Sequence, residues 1–446
     1  MKTDCGTAGI ARQWFAPVRQ GYNGYVIEKK PTPPLSKLAA RVAPESHLAD
    51  VKSQADESAA GPSNDVAVDD AWAVHTRAVE KARAGEAVIF LSIGQEANET
   101  TPEPIVNEAI QSLQAGEHHY ADVEGSPELR EAISAYHKKI TGASVSADQC
   151  VVYCGAQNSL FAVAQAVLEP GCEVVLSEPY YTTYPACFTA SGAQARRVAL
   201  RAEDDYRLNV DRLLAAITPK TRAIVLNTPN NPMGECYSLA DLSRVVQACV
   251  ERGVWLILDM VYAELVDPAS LSLPHRLPGA EDVIISVGSL SKSHRMTGWR
   301  AGWVVAPQRV ANTLRNLSTC MHYGMAPFVM KAAAYALTHD QETPGIIRAA
   351  LAERRQTVHQ QLDNKPGVEL IDRGQGMFVL LDVTHTGMGA KAFAMELLER
   401  TGVSVLPCEG FGAAGANLIR ISLAVDPLEL ASACNAIAAF SASIKA

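Results

Sequence analysis

From Asp70 onward the chain alternates two hydrophobic patterns. Short continuous apolar runs, the kind found in strands covered on both faces, fall at 150–153, 173–176, 195–200, 223–226, 254–258, 283–287 and 302–305. Between them, apolar residues recur three and four apart, which predicts helices at 159–167, 184–190, 210–216, 239–251 and 307–317. Strands alternating with helices predict an α/β fold, with a mostly parallel seven-stranded sheet held between helices. Such a sheet binds its ligands at the carboxyl ends of the strands. Upstream, the pattern predicts a helix over 71–83, a buried strand over 88–93 ending at Gly94, a helix over 102–115, a loop at 119–125 and a helix over 127–140. After about Pro327 the register changes. A long helical region runs to 362, followed by strand 376–383, helix 390–400, strands 403–406 and 418–423, and a helix from Leu428. That order predicts a smaller α+β domain at the C-terminus.

Residues 1–68 follow neither pattern. Pro31, Pro33 and Pro34 interrupt any helix, and 43–70 is rich in Ala, Ser, Asp and Glu, a composition suited to an exposed extension. Trp14, Phe15, Tyr22 and Tyr25 are the exception and predict that part of the tail packs on the body or on a partner subunit. The expected organisation is therefore an extension (1–68), a segment joining the smaller domain (69–120), a large domain (121–327) and a small domain (328–446). A net charge of -9 argues against nucleic acid as the main partner. No apolar run reaches the roughly 18 residues of a membrane span, and no signal-peptide core opens the chain. The ten cysteines are scattered without a C-x-x-C pair, so neither a zinc site nor a disulfide framework is indicated, and a reducing, cytoplasmic setting is expected.

The strand ends carry the chemistry. After 283–287 comes Ser289-Leu-Ser-Lys292, with Arg300 eight residues on. A lysine straight after a buried strand is unusual unless it has a task or a partner. Amine, hydroxyls and guanidinium together suit an imine-forming lysine beside a phosphate dianion. After 150–153 comes Gly155-Ala156-Gln157 and at once a helix, either an anion site at a helix N-terminus or a plain turn. Asn231 stands in a loop fixed by Pro229, Pro232 and Gly234, as a hydrogen-bonding group or as turn chemistry. Asp259 ends the buried run 254–258, with Tyr262 three residues on. Its carboxylate needs a cation such as a protonated pyridine nitrogen, unless it only caps a helix. Tyr181 offers an aromatic face for a planar ring, or a core side chain. Arg420, flanked by apolar residues, calls for a carboxylate, from a substrate or from a structural ion pair. Gly410-Phe-Gly412-Ala-Ala-Gly415 spells a dinucleotide fingerprint but precedes a strand, with too little chain left for the rest of that unit, and is set aside.

Ser289-x-Ser-Lys292 with Arg300, Asn231-Pro-x-Gly, Asp259-x-x-Tyr262 and Arg420, in this order, resemble the pyridoxal-phosphate-dependent aminotransferases of fold type I, over Asp70 to the C-terminus. The resemblance implies that Lys292 holds the cofactor and shuttles a proton. It implies that Asp259 pairs with the pyridine nitrogen, and that Asn231 and Tyr262 meet the ring hydroxyl. Ser289, Arg300 and the backbone of Ala156 and Gln157 would hold the phosphate, with Tyr181 stacked on the ring. Arg420 would bind the substrate carboxylate, and the loop at Gly94 would close over the substrate. Tyr120 would reach the neighbouring subunit's phosphate, which implies a homodimer with shared sites. The stretches 119–123 and 289–300 are most similar to members using arginine as donor and pyruvate as acceptor. Glu96 and Glu99 stand in the loop expected over the side chain, where many relatives carry an acidic residue, Pro and Asp. A basic amino donor is the expected substrate. Elimination or cyclisation of a guanidino amino acid is the alternative on the same scaffold. A non-enzymatic sensor domain would need a basic helix-turn-helix module, for which 1–68 is too proline-rich.

Overall fold

All seven apolar runs between 150 and 305 become strands of one sheet in the computed structural model, which describes residues 72–96 and 99–444. The expectations for 1–68 lie outside the described residues. In chain order the strands are β1 (Ile89–Phe90), β2 (Cys150–Cys154), β3 (Glu173–Glu178), β4 (Gln194–Ala199), β5 (Thr221–Asn227), β6 (Trp255–Asp259), β7 (Ile284–Ser289), β8 (Ala301–Val305), β9 (Glu369–Ile371), β10 (Phe378–Asp382), β11 (Val403–Ser404), β12 (Leu406–Pro407) and β13 (Leu418–Ser422). The α-helices are α1 (Ala73–Arg83), α2 (Glu103–Gln114), α3 (Pro127–Thr141), α4 (Ala156–Val167), α5 (Tyr184–Thr189), α6 (Val210–Ala215), α7 (Leu239–Arg252), α8 (Ala280–Val283), α9 (Gln308–Met321), α10 (Pro327–His339), α11 (Thr343–Leu362), α12 (Ala390–Thr401) and α13 (Pro427–Ser443).

The large sheet runs β2-β8-β7-β6-β5-β3-β4, parallel from β7 to β4, with β8 antiparallel to both neighbours. Its central strands are largely apolar because both faces are covered, whereas the edge strand β4 exposes Gln194, Arg196 and Arg197. Along β5, Ile224 and Leu226 enter one core with Leu242, Val245 and Cys249 of α7. Ala223 and Val225 enter the other, with Leu160 and Val163 of α4 and Leu314 of α9. The two-residue repeat of a strand puts neighbours on opposite faces. Helix ends are set by local chemistry. Ser238 caps α7 by accepting the Asp241 N–H, and Gly253 closes it at a φ of 65°.

The C-terminal part is an antiparallel sheet, β12-β13-β10-β9, packed with α11, α12 and α13. Three expectations need correction. The run 88–93 yields only Ile89–Phe90, paired with β11; past Leu91, whose backbone still bonds Ser404 and Ser422, the Ser92 and Gly94 carbonyls turn to side-chain cations instead of a strand. The run 403–406 is two strands in two sheets, β11 beside β1 and β12 beside β13, because the chain changes partner at Val405. Strand β9 has no apolar run of its own and was not expected. The segment 69–120 also divides. Val74, Ala78 and Leu91 join the C-terminal core, whereas Ile105 and Ala109 pack with α3, α10, Val152 and Trp303. Helix α10, placed by sequence in the small domain, thus sits against the large one. No helix among the described residues is long and apolar enough to cross a membrane.

Candidate active site

A cavity of about 390 Å³ opens at the carboxyl ends of β2, β5, β6 and β7, where the sequence placed a ligand. Ala156, Gln157, Tyr181, Asn231, Asp259, Tyr262, Ser289, Lys292, Arg300, Arg420 and Gly94 all line it. Residues from Gly94 to Arg420 meet there because most of them follow a strand or open a helix at this edge of the sheet, while Arg420 reaches it from within β13 and Arg300 from just before β8.

Strand β7 ends in Ser289 and delivers Lys292 into the cavity, where its Nζ donates to the Gly94 carbonyl at 2.7 Å. Burial, then the nearby Arg420 and Arg300 cations, bring its pKa down to about 8. The Ser289 hydroxyl lies 2.8 Å from both the Ala301 carbonyl and the Ser291 hydroxyl, and accepts the Ser291 N–H at 3.0 Å. Arg300 sits at a φ of 54°, a left-handed backbone that a non-glycine residue adopts at a cost, with its Nη1 donating to the Thr297 carbonyl at 2.8 Å. Its guanidinium rests on Gly155, at a φ of 85°, where a Cβ would collide with it. Gly302 abuts the Gly155–Ala156 backbone equally closely. Two glycines therefore bring a guanidinium to the first turn of α4, whose leading N–H groups have no intrahelical acceptors.

On the opposite wall Asp259 ends β6, buried. Its Oδ2 accepts from the Tyr184 hydroxyl at 2.6 Å and its Oδ1 from the Val261 N–H at 3.2 Å. These partners are neutral, and burial raises its pKa to about 6. The helix-cap alternative has little to support it: the two described carboxylate contacts end two residues on, before a single 3₁₀ turn. Asn231 gives its N–H to Asn227 Oδ1 at 2.7 Å and its side-chain amide to the Tyr262 hydroxyl at 3.3 Å, and its Oδ1 accepts from Arg420 at 2.9 Å. Arg420 also donates to the Ser92 carbonyl at 2.9 Å and lies 4.0 Å over the Phe378 ring. It has no carboxylate partner among the described residues, and its Nε is buried without a hydrogen bond. The structural ion pair that sequence left open is not what holds it.

Three residues stand apart from this set. Tyr120 is 88% exposed, edge-to-face with Tyr323, and lines a separate surface hollow. Glu96 does not face the cavity as a free carboxylate, because α11 brings Arg354 within 2.7 Å of it. Glu99 is 3.4 Å from Arg295, beside a small pocket of about 50 Å³ next to Lys292. Sequence reasoning missed Tyr184 and Asn227, whose amide bonds the Asp259 carbonyl at 3.0 Å. Tyr184 could have been found. It follows Tyr181 by three residues, at the first turn of α5. Phe378 and Phe411, which line the cavity beside Arg420, had no sequence signal beyond hydrophobicity.

An amine whose pKa is lowered by burial and a buried carboxylate with no cationic partner among the described residues line one cavity at the carboxyl ends of this sheet's strands. That is the arrangement of a pyridoxal-phosphate enzyme of fold type I. The class I and II aminotransferase family matches residues 86–437, and the chain belongs to it. Arginine–pyruvate transaminase AruH of Pseudomonas aeruginosa is 42% identical over 374 residues, covering 84% of this chain and 95% of that protein. An aspartate aminotransferase of Pyrococcus horikoshii is 31% identical over 360 residues, covering 80% and 92%. Among solved structures, a single mutant of Thermus thermophilus aspartate aminotransferase superposes with a TM-score of 0.80 at 28% identity, covering 92% of this chain and all of that one. The protein is a pyridoxal-phosphate-dependent aminotransferase, passing the amino group of an amino acid to a 2-oxo acid.

Proposed function

We propose that the amino donor is a basic amino acid, arginine first, and that pyruvate serves as acceptor. The observation that carries this is the 42% identity to an arginine–pyruvate transaminase along nearly its whole length. The half-exposed Glu99 carboxylate beside the pocket next to Lys292 supports it, since a guanidinium entering a partly dry site needs a carboxylate. Wild-type enzyme is tested with arginine, lysine, alanine, aspartate and phenylalanine, each with pyruvate, following 2-oxo acid and ammonia. Arginine should give the highest kcat/KM and release no ammonia. Efficient turnover of aspartate or phenylalanine with none of arginine would overturn the reading, and ammonia without amino transfer would replace it with elimination.

The residues present fit pyridoxal phosphate. Arg300, Ser289 and the opening turn of α4 form a cationic cradle for its phosphate. Asp259, buried with only neutral partners among the described residues, is matched by a protonated ring nitrogen, and the unbonded Nε of Arg420 fits a substrate carboxylate. In this reading Lys292 holds the cofactor covalently, Tyr181 covers the ring, and Asn231 and Tyr262 meet its hydroxyl. When bound, the cofactor supplies the electron sink that makes the Cα proton of an amino acid removable. Arg420, oriented by Asn231 and Ser92, fixes the amino acid by its carboxylate, and the neutral amine of Lys292 takes the Cα proton and returns it.

The same reading makes the enzyme a homodimer with shared sites, supported by the exposed Tyr120–Tyr323 pair. A Tyr120→Phe chain mixed with a Lys292→Ala chain forms hybrids with one doubly impaired site and one intact site. Activity should return toward about a quarter of wild type if Tyr120 serves the neighbouring site, since half of the dimers are then hybrids with one good site of two. Full activity in a strictly monomeric protein would contradict it. A cytoplasmic setting is proposed as well, supported by the free state of the nine described cysteines.

A further inference from the structure

The chain leaving β1 meets a cation at every second residue as it passes the cavity. The Ser92 carbonyl accepts from Arg420 at 2.9 Å, the Gly94 carbonyl from Lys292 at 2.7 Å, and the Glu96 carboxylate meets Arg354 at 2.7 Å. Two of these cations, Arg420 and Lys292, are those assigned above to substrate and cofactor. Arg354 has no such task. It stands on α11, and its Nη1 also donates to the carbonyl of Leu423 at 3.2 Å, three residues beyond Arg420 along the same chain. The side chains of Arg354 and Glu96 are 11% and 8% exposed. The pair thus ties the Gly94 segment to the end of the strand that carries Arg420.

We propose that the Glu96–Arg354 pair is a positioning device for the substrate side of the site. It fixes the backbone of 92–96 against the end of β13, so that Gly94 and Arg420 keep their spacing around any amino acid, whatever its side chain. When Arg420 and Lys292 turn to their ligands, this pair is the tie whose partners have no other claim on them. Glu96 is thereby engaged within the protein by a short, largely buried pair, whereas Glu99, more exposed and 3.4 Å from Arg295, is the carboxylate better placed to exchange its partner for a basic side chain. Removing one member leaves the other as a largely buried, unpaired charge, so the two act as a unit. The proposal rests on the roles assigned above to Lys292 and Arg420.

Holoenzyme carrying Glu96→Gln, Arg354→Gln, or the reversed pair Glu96→Arg with Arg354→Glu is assayed with arginine, with alanine and with whichever other amino acid of the panel turns over. Backbone amide exchange over 92–96 is followed in parallel. Either single change should raise KM roughly tenfold for all donors alike, move kcat less than about threefold, and speed exchange; the reversed pair should recover most of both. Should a Gln variant fail to fold, Glu96→Asp and Arg354→Lys, which keep the charges and change the reach, are read in the same way. A Glu96→Gln loss confined to arginine, with Arg354→Gln neutral or beneficial, would overturn the proposal and make Glu96 the recognising carboxylate. Unchanged KM and exchange in both single variants would overturn it too. If alanine turns over and arginine does not, the substrate reading fails while the alanine KM still reports on the pair.

Discussion

Lys292→Ala is expected to lose at least about four orders of magnitude in kcat, the upper range for removing a positioned general base. The loss should be larger than that of any other single change in the site. The amine must be unprotonated to take the Cα proton. At an ordinary lysine pKa only about 0.3% of it would be free base at pH 8, whereas at about 8 roughly half is. Burial lowers the pKa first, because the cavity wall solvates the ammonium poorly, and the Arg420 and Arg300 cations lower it further. Steady-state rates of Lys292→Ala, with exogenous ethylamine added as a rescue probe, check this. Partial rescue that rises with amine concentration is the expected outcome. Activity within tenfold of wild type without added amine would place the base elsewhere.

Asp259→Asn should reduce turnover by on the order of 10²–10³-fold, the scale for losing one preorganised charge aimed at the reacting system. The same change should stabilise the cofactor-free chain at neutral pH. Burial raises the carboxyl pKa from 3.8 to about 6, so the folded state holds that proton more tightly than the unfolded one. The resulting contribution to stability is fully present below about pH 4 and is lost as pH rises through about 6. At pH 7.5 the wild-type chain carries a buried anion whose described partners are neutral, and the asparagine variant does not. Urea unfolding of the cofactor-free proteins should therefore show the variant more stable by about 1–3 kcal/mol at pH 7.5, with the difference closing below pH 4. A variant less stable at pH 7.5 would mean that Asp259 is satisfied as an anion by the fold alone. A residue that weakens the fold while carrying the chemistry is one selected for function.

The large sheet was legible because its central strands are covered on both faces and so appear as near-continuous apolar runs, ending where a polar residue meets the ligand; the edge strand β4, with two exposed arginines, carries the weakest signal. Asp259 and Lys292 could be found for that reason, each a costly residue following a buried apolar run, and Asn231 because Pro229, Pro232 and Gly234 fix the loop that presents it. The small domain was harder. Strand β9 has three residues, none of them fully buried, and the break at Val405 depends on which neighbour each half finds, a property of tertiary pairing. Tyr184 looked like a helix-start aromatic, and only the fold shows its hydroxyl 2.6 Å from Asp259. Glu96 and Glu99 were legible as acidic residues over the site. That Glu96 is taken up by Arg354, 258 positions away, could not be seen from local sequence. Long-range ion pairs leave no periodic trace in a chain, whereas burial does.

The attachment of the cofactor tests the central claim most directly. Holoenzyme is reduced with borohydride, digested, and the modified peptide is mapped by mass spectrometry. The cofactor should be found fixed to the lysine of the 289–300 loop, Lys292, with the visible absorption band lost on reduction and no labelled peptide from the Lys292→Ala protein. A label on another lysine of the wild-type chain, or a protein that binds no pyridoxal phosphate at all, would contradict the assignment of this site.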